Sequence, residues 1–222
     1  MTERDSLMDK WKESLCYAVA PYTKTSIERR VALIDALVDL DKYEVVGDVV
    51  ECGVWKGGSI ALARMVSPNR VCWLYDTFDG MTKPGQQDLH RNGQPASKKF
   101  GEMRAKGLKW NKSPASEVIE TMEKLGVNDE LKLRYVEGDV CQTLKSGPLP
   151  EQIALLRLDT DWYASTKIEL EVLWPLVPTG GVLIVDDYGH WQGARKAVDE
   201  YFGGDMISRL EKIDYTAVML RK

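Results

Sequence analysis

LLRLDTDWYAST, residues 155–166, runs three leucines and an arginine into Asp159 and Asp161, with one threonine between the acids. GGVLIVDDYG, residues 180–189, repeats the pattern: four apolar residues end on Asp186 and Asp187. Apolar runs this short, bounded by turn residues, read as buried strands. Buried like charges repel and are costly to desolvate. Two strands that both end in acid therefore ask for a common reason.

The same alternation extends outward in both directions. VGDVVEC (46–52), NRVCWLYD (69–76) and LKLRYVEGD (131–139) read as three further strands, with IALLRLDT (153–160) and GVLIVDD (181–187) as the fourth and fifth. Helical patterns separate them: WKGGSIALARMV (55–66), SPASEVIETMEKLG (113–126) with Ser113 or Ser116 as a cap, STKIELEVLWPLVPTGG (165–181) stopping at Pro178 and Gly180, and GARKAVDEYF (193–202). Ahead of the first strand, TSIERRVALIDALVDL (25–40) places Ile27, Val31, Ile34 and Val38 at helical intervals, and Thr25 with Glu28 has capping-box spacing. The tail, 206–222, reads as two strands joined near Asp214. Strand–helix alternation of this kind predicts an α/β, Rossmann-like fold: a mostly parallel sheet with an antiparallel C-terminal edge and helices on both faces. The expected organisation is one domain over 1–222, with an N-terminal helical extension over 1–44. Residues 77–112 form a polar excursion broken by Gly and Pro. An excursion of that length beside the site reads as a lid. Its Lys98, Lys99, Arg104 and Lys106 fit a solvated helix face slightly better than direct lid contacts.

Composition excludes several classes of function. At 44% hydrophobic and 29% charged residues the chain is globular in character. A formal charge of -4 gives no general cationic surface for nucleic acid or an anionic membrane. No run approaches the roughly 18 apolar residues of a membrane span, and MTERDSLMDKWKESL lacks the apolar centre of a signal peptide. Cysteines at 16, 52, 72 and 141 form no CxxC pair, which favours free thiols in a reducing cytoplasm over disulfides or zinc.

Ligands of open α/β sheets bind beyond the C-terminal ends of the strands. Glu51, Asp76, Asp139, the pair Asp159 and Asp161, and the pair Asp186 and Asp187 all fall there. One such acid is ordinarily a cap or turn former; five strand ends carrying acid suggest a site. ECGVWKGGS (51–59) is neither a dinucleotide fingerprint nor a P-loop. Its glycines at 53, 57 and 58 allow close backbone approach, and Glu51 repels phosphate while accepting from an amine. Asp76, 25 residues after Glu51, is placed to grip ribose hydroxyls. Together they favour a nucleoside with an amino-acid end and no pyrophosphate. Asp159, Asp186 and Asp187 suit a hard cation such as Mg2+, which would also reconcile the converging charges. If the chain is still extended at Asp161, that carboxylate faces the same side as Asp159 and can ligate too. If it has entered a turn, Asp161 is free to act as a base. His90 and His190 are the two histidines; His190 near the rim could assist substrate binding, a loop position being the plainer reading. Trp55, Trp162, Tyr163, Tyr188 and Trp191 flank the acidic turns and either wall a pocket or pack the loops.

YTKTSIERR, VVECGVWKGGS, YDTFDGM, VEGDVCQTL, LLRLDTDWYAST and VLIVDDYGHWQGARKAVDEYF resemble the macrocin O-methyltransferase family over about residues 22–202. The resemblance implies an S-adenosylmethionine-dependent methyltransferase fold and transfer of a methyl group to a sugar hydroxyl of a natural product, with Mg2+. It implies that Glu51, Gly53, Gly57 and Ser59 line the methionine end of S-adenosylmethionine, that Asp76 holds its ribose, that Asp139 lies by the adenine, and that Ser113 lies near the cofactor. Metal ligands map to Asp159, Asp186 and Asp187, and the general base maps to Asp161. The family also suggests self-association into a homo-oligomer. Alternatives are a methyltransferase acting on a catechol-like vicinal diol, an NAD-dependent oxidoreductase, and a non-catalytic binding protein. The missing GxGxxG and the acidic glycine loop count against NAD.

Overall fold

The computed structural model describes residues 3–222. The N-terminal extension forms α1 (Glu3–Val19) and α2 (Ile27–Lys42). Then follow β1 (Asp48–Cys52), α3 (Gly58–Val66), β2 (Cys72–Asp76), α4 (Ala96–Ala105), α5 (Ala115–Lys124), β3 (Leu133–Glu137), α6 (Val140–Ser146), β4 (Ile153–Leu158), α7 (Tyr163–Leu173), β5 (Val182–Val185), α8 (Gln192–Phe202), α9 (Gly204–Ser208), β6 (Glu211–Lys212) and β7 (Val218–Arg221). The strands form one sheet in the order β3-β2-β1-β4-β5-β7-β6. β1 to β5 are mutually parallel, while β7 runs antiparallel to β5 and β6 to β7. The strand order reverses between β1 and β4, the switch point where such sheets open a crevice.

Side chains alternate across a strand, so neighbouring residues serve opposite faces. Val49, Leu155, Val182 and Ile184 pack on one face with Leu33, Ile34 and Leu37 of α2, Ile60 and Leu62 of α3, and Val118 and Met122 of α5. Val50, Leu156, Leu183 and Val185 pack on the other with Leu144 of α6, Leu170 and Leu173 of α7, and Val198 of α8. Both faces are covered, which explains strands that read as continuous apolar runs rather than alternating ones. All four cysteines are free, and Cys16, Cys52 and Cys72 are buried.

Local chemistry departs from the sequence expectation in three places. Ser26, not Thr25, caps α2: its hydroxyl accepts from the Arg29 amide, whereas the Thr25 hydroxyl is bonded to that of Thr23. α5 is preceded by Pro114 without a side-chain cap, and Ser113 instead donates from Oγ to Glu117 Oε2 at 2.8 Å. The excursion contains α4, and Ala96 and Trp110 join a small third core with Trp162, Trp191 and Ala194.

Candidate active site

A cavity of about 790 Å³ opens at the C-terminal ends of β1, β2, β4 and β5, under the 77–112 excursion. It is lined by Glu51, Gly53, Ser59, Asp76, Asp139, Asp159, Asp161, Asp186 and Asp187. Gly57 and Ser113 are not brought to its wall. A Cβ at Gly57 would meet Val118 and Met122 at 2.9 Å, so that glycine, at φ 85°, seats α3 against α5. Ser113 is buried beside Glu117 instead.

Three strands build the floor by register. Glu51 of β1 lies opposite Arg157 of β4, and Arg157 lies opposite Ile184 of β5, two residues before Asp186. Counting by twos puts Glu51, Arg157, Asp159 and Asp186 on one face of the sheet. Arg157 is 3% exposed. Its Nη1 donates to Glu51 Oε1 and to Asp159 Oδ2, and its Nη2 to Asp186 Oδ1 at 2.5 Å. Arg29, in the first turn of α2, completes the set. Its Nη1 donates to Asp186 Oδ2, and its Nε lies 2.9 Å from Asp214 Oδ2. Two guanidiniums thus supply much of the positive charge that the acidic strand ends demand. Sequence reasoning assigned neither. An arginine inside an otherwise apolar strand was the available signal, since a charge is buried only where it is paired.

Enough acid remains uncompensated to fit a hard cation. One carboxylate oxygen each from Asp159, Asp186 and Asp187 lie within 4.8 Å of one another. Asp187 Oδ2 is buried without a hydrogen-bond partner. Burial and the neighbouring acids hold the Asp159 and Asp187 carboxyls well above the usual carboxylate range, Arg157 opposing. An all-oxygen donor set with an orphaned oxygen is the chemistry that Mg2+ takes.

Asp161 has left the strand. Its φ is 68°, and the Trp162 amide donates back to the Thr160 carbonyl at 2.8 Å, closing a tight three-residue turn around it. Asp161 therefore does not continue the extended line from Asp159. Its Oδ1 accepts from Trp191 Nε1. Burial pushes its carboxyl up to about 7, against the hydrogen bond from Trp191.

On the glycine-loop side, a Cβ at Gly53 would lie 2.0 Å from the Asp159 carbonyl oxygen, so glycine is required where β1 and β4 loops meet. Glu51 is pushed up to about 7 by burial, with Arg157 opposing. Glu51 Oε2 has no hydrogen-bond partner, which leaves it open to an ammonium group. Asp76 is heavily engaged: Oδ2 accepts from the Val54 and Trp55 amides at 2.7 and 3.0 Å, and Oδ1 from the Phe78 amide at 2.8 Å. It ties the glycine loop to the start of the excursion while still lining the cavity. Asp139 caps α6 through the Cys141 amide and also faces the cavity.

The excursion closes the far side. Trp110, Trp162 and Trp191 meet edge-on with ring centroids 5.1–6.1 Å apart. His90 and His190 lie 4.7 Å apart, with Tyr215 Oη 3.3 Å from His190 Nδ1. Burial and the adjacent His90 hold the His190 imidazole below its usual value. Both histidines, Lys98 and Lys99 line the cavity; Arg104 and Lys106 do not.

Comparison with known proteins agrees in fold and identifies the family. The sequence profile of the Macrocin-O-methyltransferase (TylF) family matches residues 5–222. Demethyldecarbamoylnovobiocin O-methyltransferase of Streptomyces niveus is 31% identical over 203 residues, covering 89% of this chain and 74% of that protein. The 8-demethyl-8-(2,3-dimethoxy-alpha-L-rhamnosyl)-tetracenomycin-C 4'-O-methyltransferase of Streptomyces olivaceus is 33% identical over 183 residues, covering 80% and 66%. Among solved structures, the O-methyltransferase NovP superposes with a TM-score of 0.77 at 30% identity, covering 90% of this chain and 82% of that one. No helix among the described residues is long and apolar enough to cross a membrane.

Proposed function

The chain belongs to the macrocin O-methyltransferase family and is an O-methyltransferase, and from that premise we propose that it methylates a sugar hydroxyl of a natural product, using S-adenosylmethionine and Mg2+. The observation that carries this reading is a single cavity in which an unpaired Glu51 oxygen, the three-carboxylate cluster and Asp161 converge. The methyl donor supplies an activated methyl on a sulfonium, which leaves as a neutral thioether. Mg2+, held by Asp159, Asp186 and Asp187, would supply Lewis acidity toward the acceptor oxygen.

The remaining work belongs to the chain. Glu51 Oε2 is available to the donor's ammonium group, and Ser59 and Gly53 border the same end of the cavity. Asp139 borders it near α6. Asp161 takes the proton from the acceptor hydroxyl as the oxygen gains the methyl. A carboxyl that burial raises above the ordinary aspartate range is a stronger base than an ordinary aspartate. The excursion, seated through Trp110 on Trp162 and Trp191, excludes water and aligns the acceptor, which is most of what an already activated methyl requires. Trp110, Trp191, His90 and His190 give the acceptor end flat, hydrogen-bonding walls suited to a sugar face rather than a bare hydrocarbon.

The test is methyl transfer from radiolabelled S-adenosylmethionine to a panel of deoxysugar glycosides and catechols, with and without EDTA. Asp161→Asn is expected to lower kcat by about 10²–10⁴-fold, the range for a lost general base, with cofactor affinity retained. Full activity in EDTA would remove the metal from the proposal, and preference for catechols would remove the sugar.

A further inference from the structure

Glu169 is the one carboxylate of α7 that is wholly buried, and the mechanism above does not use it. A buried acid is retained against a desolvation cost, and leucine would pack the same helix face without it. No arginine, lysine or histidine pairs with it among the described salt bridges. Its hydrogen-bonding partner is Thr160, whose Oγ1 lies 2.9 Å from Oε1 and 3.1 Å from Oε2. Thr160 is the residue between Asp159 and Asp161.

That turn is held from several sides. The Asp159 amide donates to the Cys52 carbonyl at 2.8 Å, continuing the β1–β4 ladder for one more step. The Trp162 amide then donates to the Thr160 carbonyl, forcing Asp161 to φ 68°, a conformation that a side-chain-bearing residue adopts only when its surroundings impose it. Downstream, the Tyr163 amide is fixed by Asp88 Oδ1 at 2.8 Å, and Ser165 Oγ donates to the Trp162 carbonyl at 3.0 Å. The upstream flank is thus held by a backbone bond and the downstream flank by the Asp88 and Ser165 side chains. The apex is held by the Thr160 side chain on Glu169, with Ser165 Oγ also 3.4 Å from the Thr160 carbonyl.

We propose that Glu169 is a positioning residue which, through the Thr160 hydroxyl, imposes the turn that separates Asp159 on the carboxylate cluster from Asp161 beside Trp191. Its role in turnover rests on Asp161 being the base; its role in the turn does not. Burial pushes the Glu169 carboxyl up to about 8, so near neutrality it is largely the neutral acid, a state that glutamine imitates. Aligned reacting groups are sensitive to displacements on the order of 1 Å, which is why a residue without access to substrate can govern the rate.

The experiment uses the full chain with Thr160→Val, Glu169→Leu, Glu169→Gln and the Thr160→Val/Glu169→Leu double variant. Amide hydrogen exchange at Trp162, followed by NMR, reads the turn without requiring any acceptor. Thr160→Val and Glu169→Leu are each expected to speed exchange at Trp162 about tenfold or more, while amides of β5 and α8 stay unchanged. Glu169→Gln should stay within about twofold of the parent protein, and the double variant should be no worse than either single one. With an acceptor in hand, the same two substitutions should lower kcat about tenfold or more and leave the KM for S-adenosylmethionine within about threefold. Unchanged exchange at Trp162 in Thr160→Val would overturn the inference while leaving the methyltransferase reading intact. So would additive effects in the double variant, or a global rise in exchange that glutamine does not rescue. A protein that binds no S-adenosylmethionine and transfers no methyl would overturn the functional reading, with the exchange result still deciding the turn.

Discussion

The floor of the cavity and its cover solve opposite problems. The floor gathers Glu51, Asp159 and Asp186 around a guanidinium that is 3% exposed, and the backbone beneath them is the parallel ladder of β1, β4 and β5. The cover has no strand of its own inside the sheet. It is attached by the Trp110–Trp162–Trp191 cluster, by a single bridge at His90–Trp191, and by Asp88, whose Oδ1 accepts from the Tyr163 amide. Charge fixed to a rigid ladder is preorganised and costly to disturb. Aromatic contacts around an irregular chain can open and reclose. The difference separates a part that sets chemistry from a part that admits substrate, and each substitution below probes one side of it.

Arg157→Met should give the largest effect. It leaves Glu51, Asp159 and Asp186 facing each other with only Arg29 on the far side of Asp186. Breaking one partner of a buried pair commonly costs about 3–5 kcal/mol, because the remaining charges stay buried and unpaired. For a chain of this length that corresponds to a fall in Tm of roughly 10 °C. Urea denaturation checks it, with Lys98→Ala on the exposed face of α4 as the contrast, expected to stay within about 0.5 kcal/mol. Similar losses in both variants would break the distinction between floor and cover.

The two regions also differed in how far they could be read from sequence. Apolar runs ending in Asp159, Asp186 and Asp187 announced both the parallel sheet and the acidic rim, because strand periodicity and the placement of sites at strand ends are properties of local sequence. Arg157 and Arg29 were hidden for a matching reason: most of their partners lie on other elements. Glu51 reaches Arg157 only through the β1–β4 register, and Asp186 and Asp214 reach Arg29 only through the packing of α2. The fate of Asp161 depended on one backbone dihedral that spacing does not encode. Gly57 and Ser113 show the converse. Both lie near cofactor-like patterns, yet packing of α3 on α5 and the start of α5 account for them. In the cover, Gly and Pro signalled irregular chain, but its attachment relies on tryptophans separated by up to 81 residues in sequence (from Trp110 to Trp191).

Trp191→Phe tests the place where floor and cover touch. Phenylalanine retains an aromatic ring for Trp110 and Trp162 but cannot donate to Asp161 Oδ1. That hydrogen bond favours the ionised carboxylate, so losing it raises the Asp161 pKa from about 7. The base must be ionised to act. Activity in the variant should therefore fall several-fold at pH 7 and recover as pH rises by one to two units, shifting the acidic limb of the kcat/KM profile upward. A uniform loss at every pH would mean that Trp191 serves the cover alone.

Lys99→Met should give the smallest effect, and it asks whether charge contributes to closure at all. Lys99 Nζ sits 4.2 Å from the Trp110 ring centroid, but the residue is exposed. A cation over an aromatic face at an exposed site is worth about 0.5–1 kcal/mol. Methionine keeps most of the apolar stem that covers the ring, so the fall in Tm should stay within about 3 °C. Lys99 also lies close enough to Lys24 to add to the lowering of its pKa, after burial. Removing Lys99 should relax that lowering, which side-chain NMR of Lys24 can follow. If the cover is held by its aromatic cluster, the acceptor KM will change by no more than about threefold, the equivalent of roughly 0.65 kcal/mol. A tenfold rise in acceptor KM with an unchanged Tm would instead make Lys99 a substrate contact, and the cover would then carry recognition by charge as the floor carries catalysis.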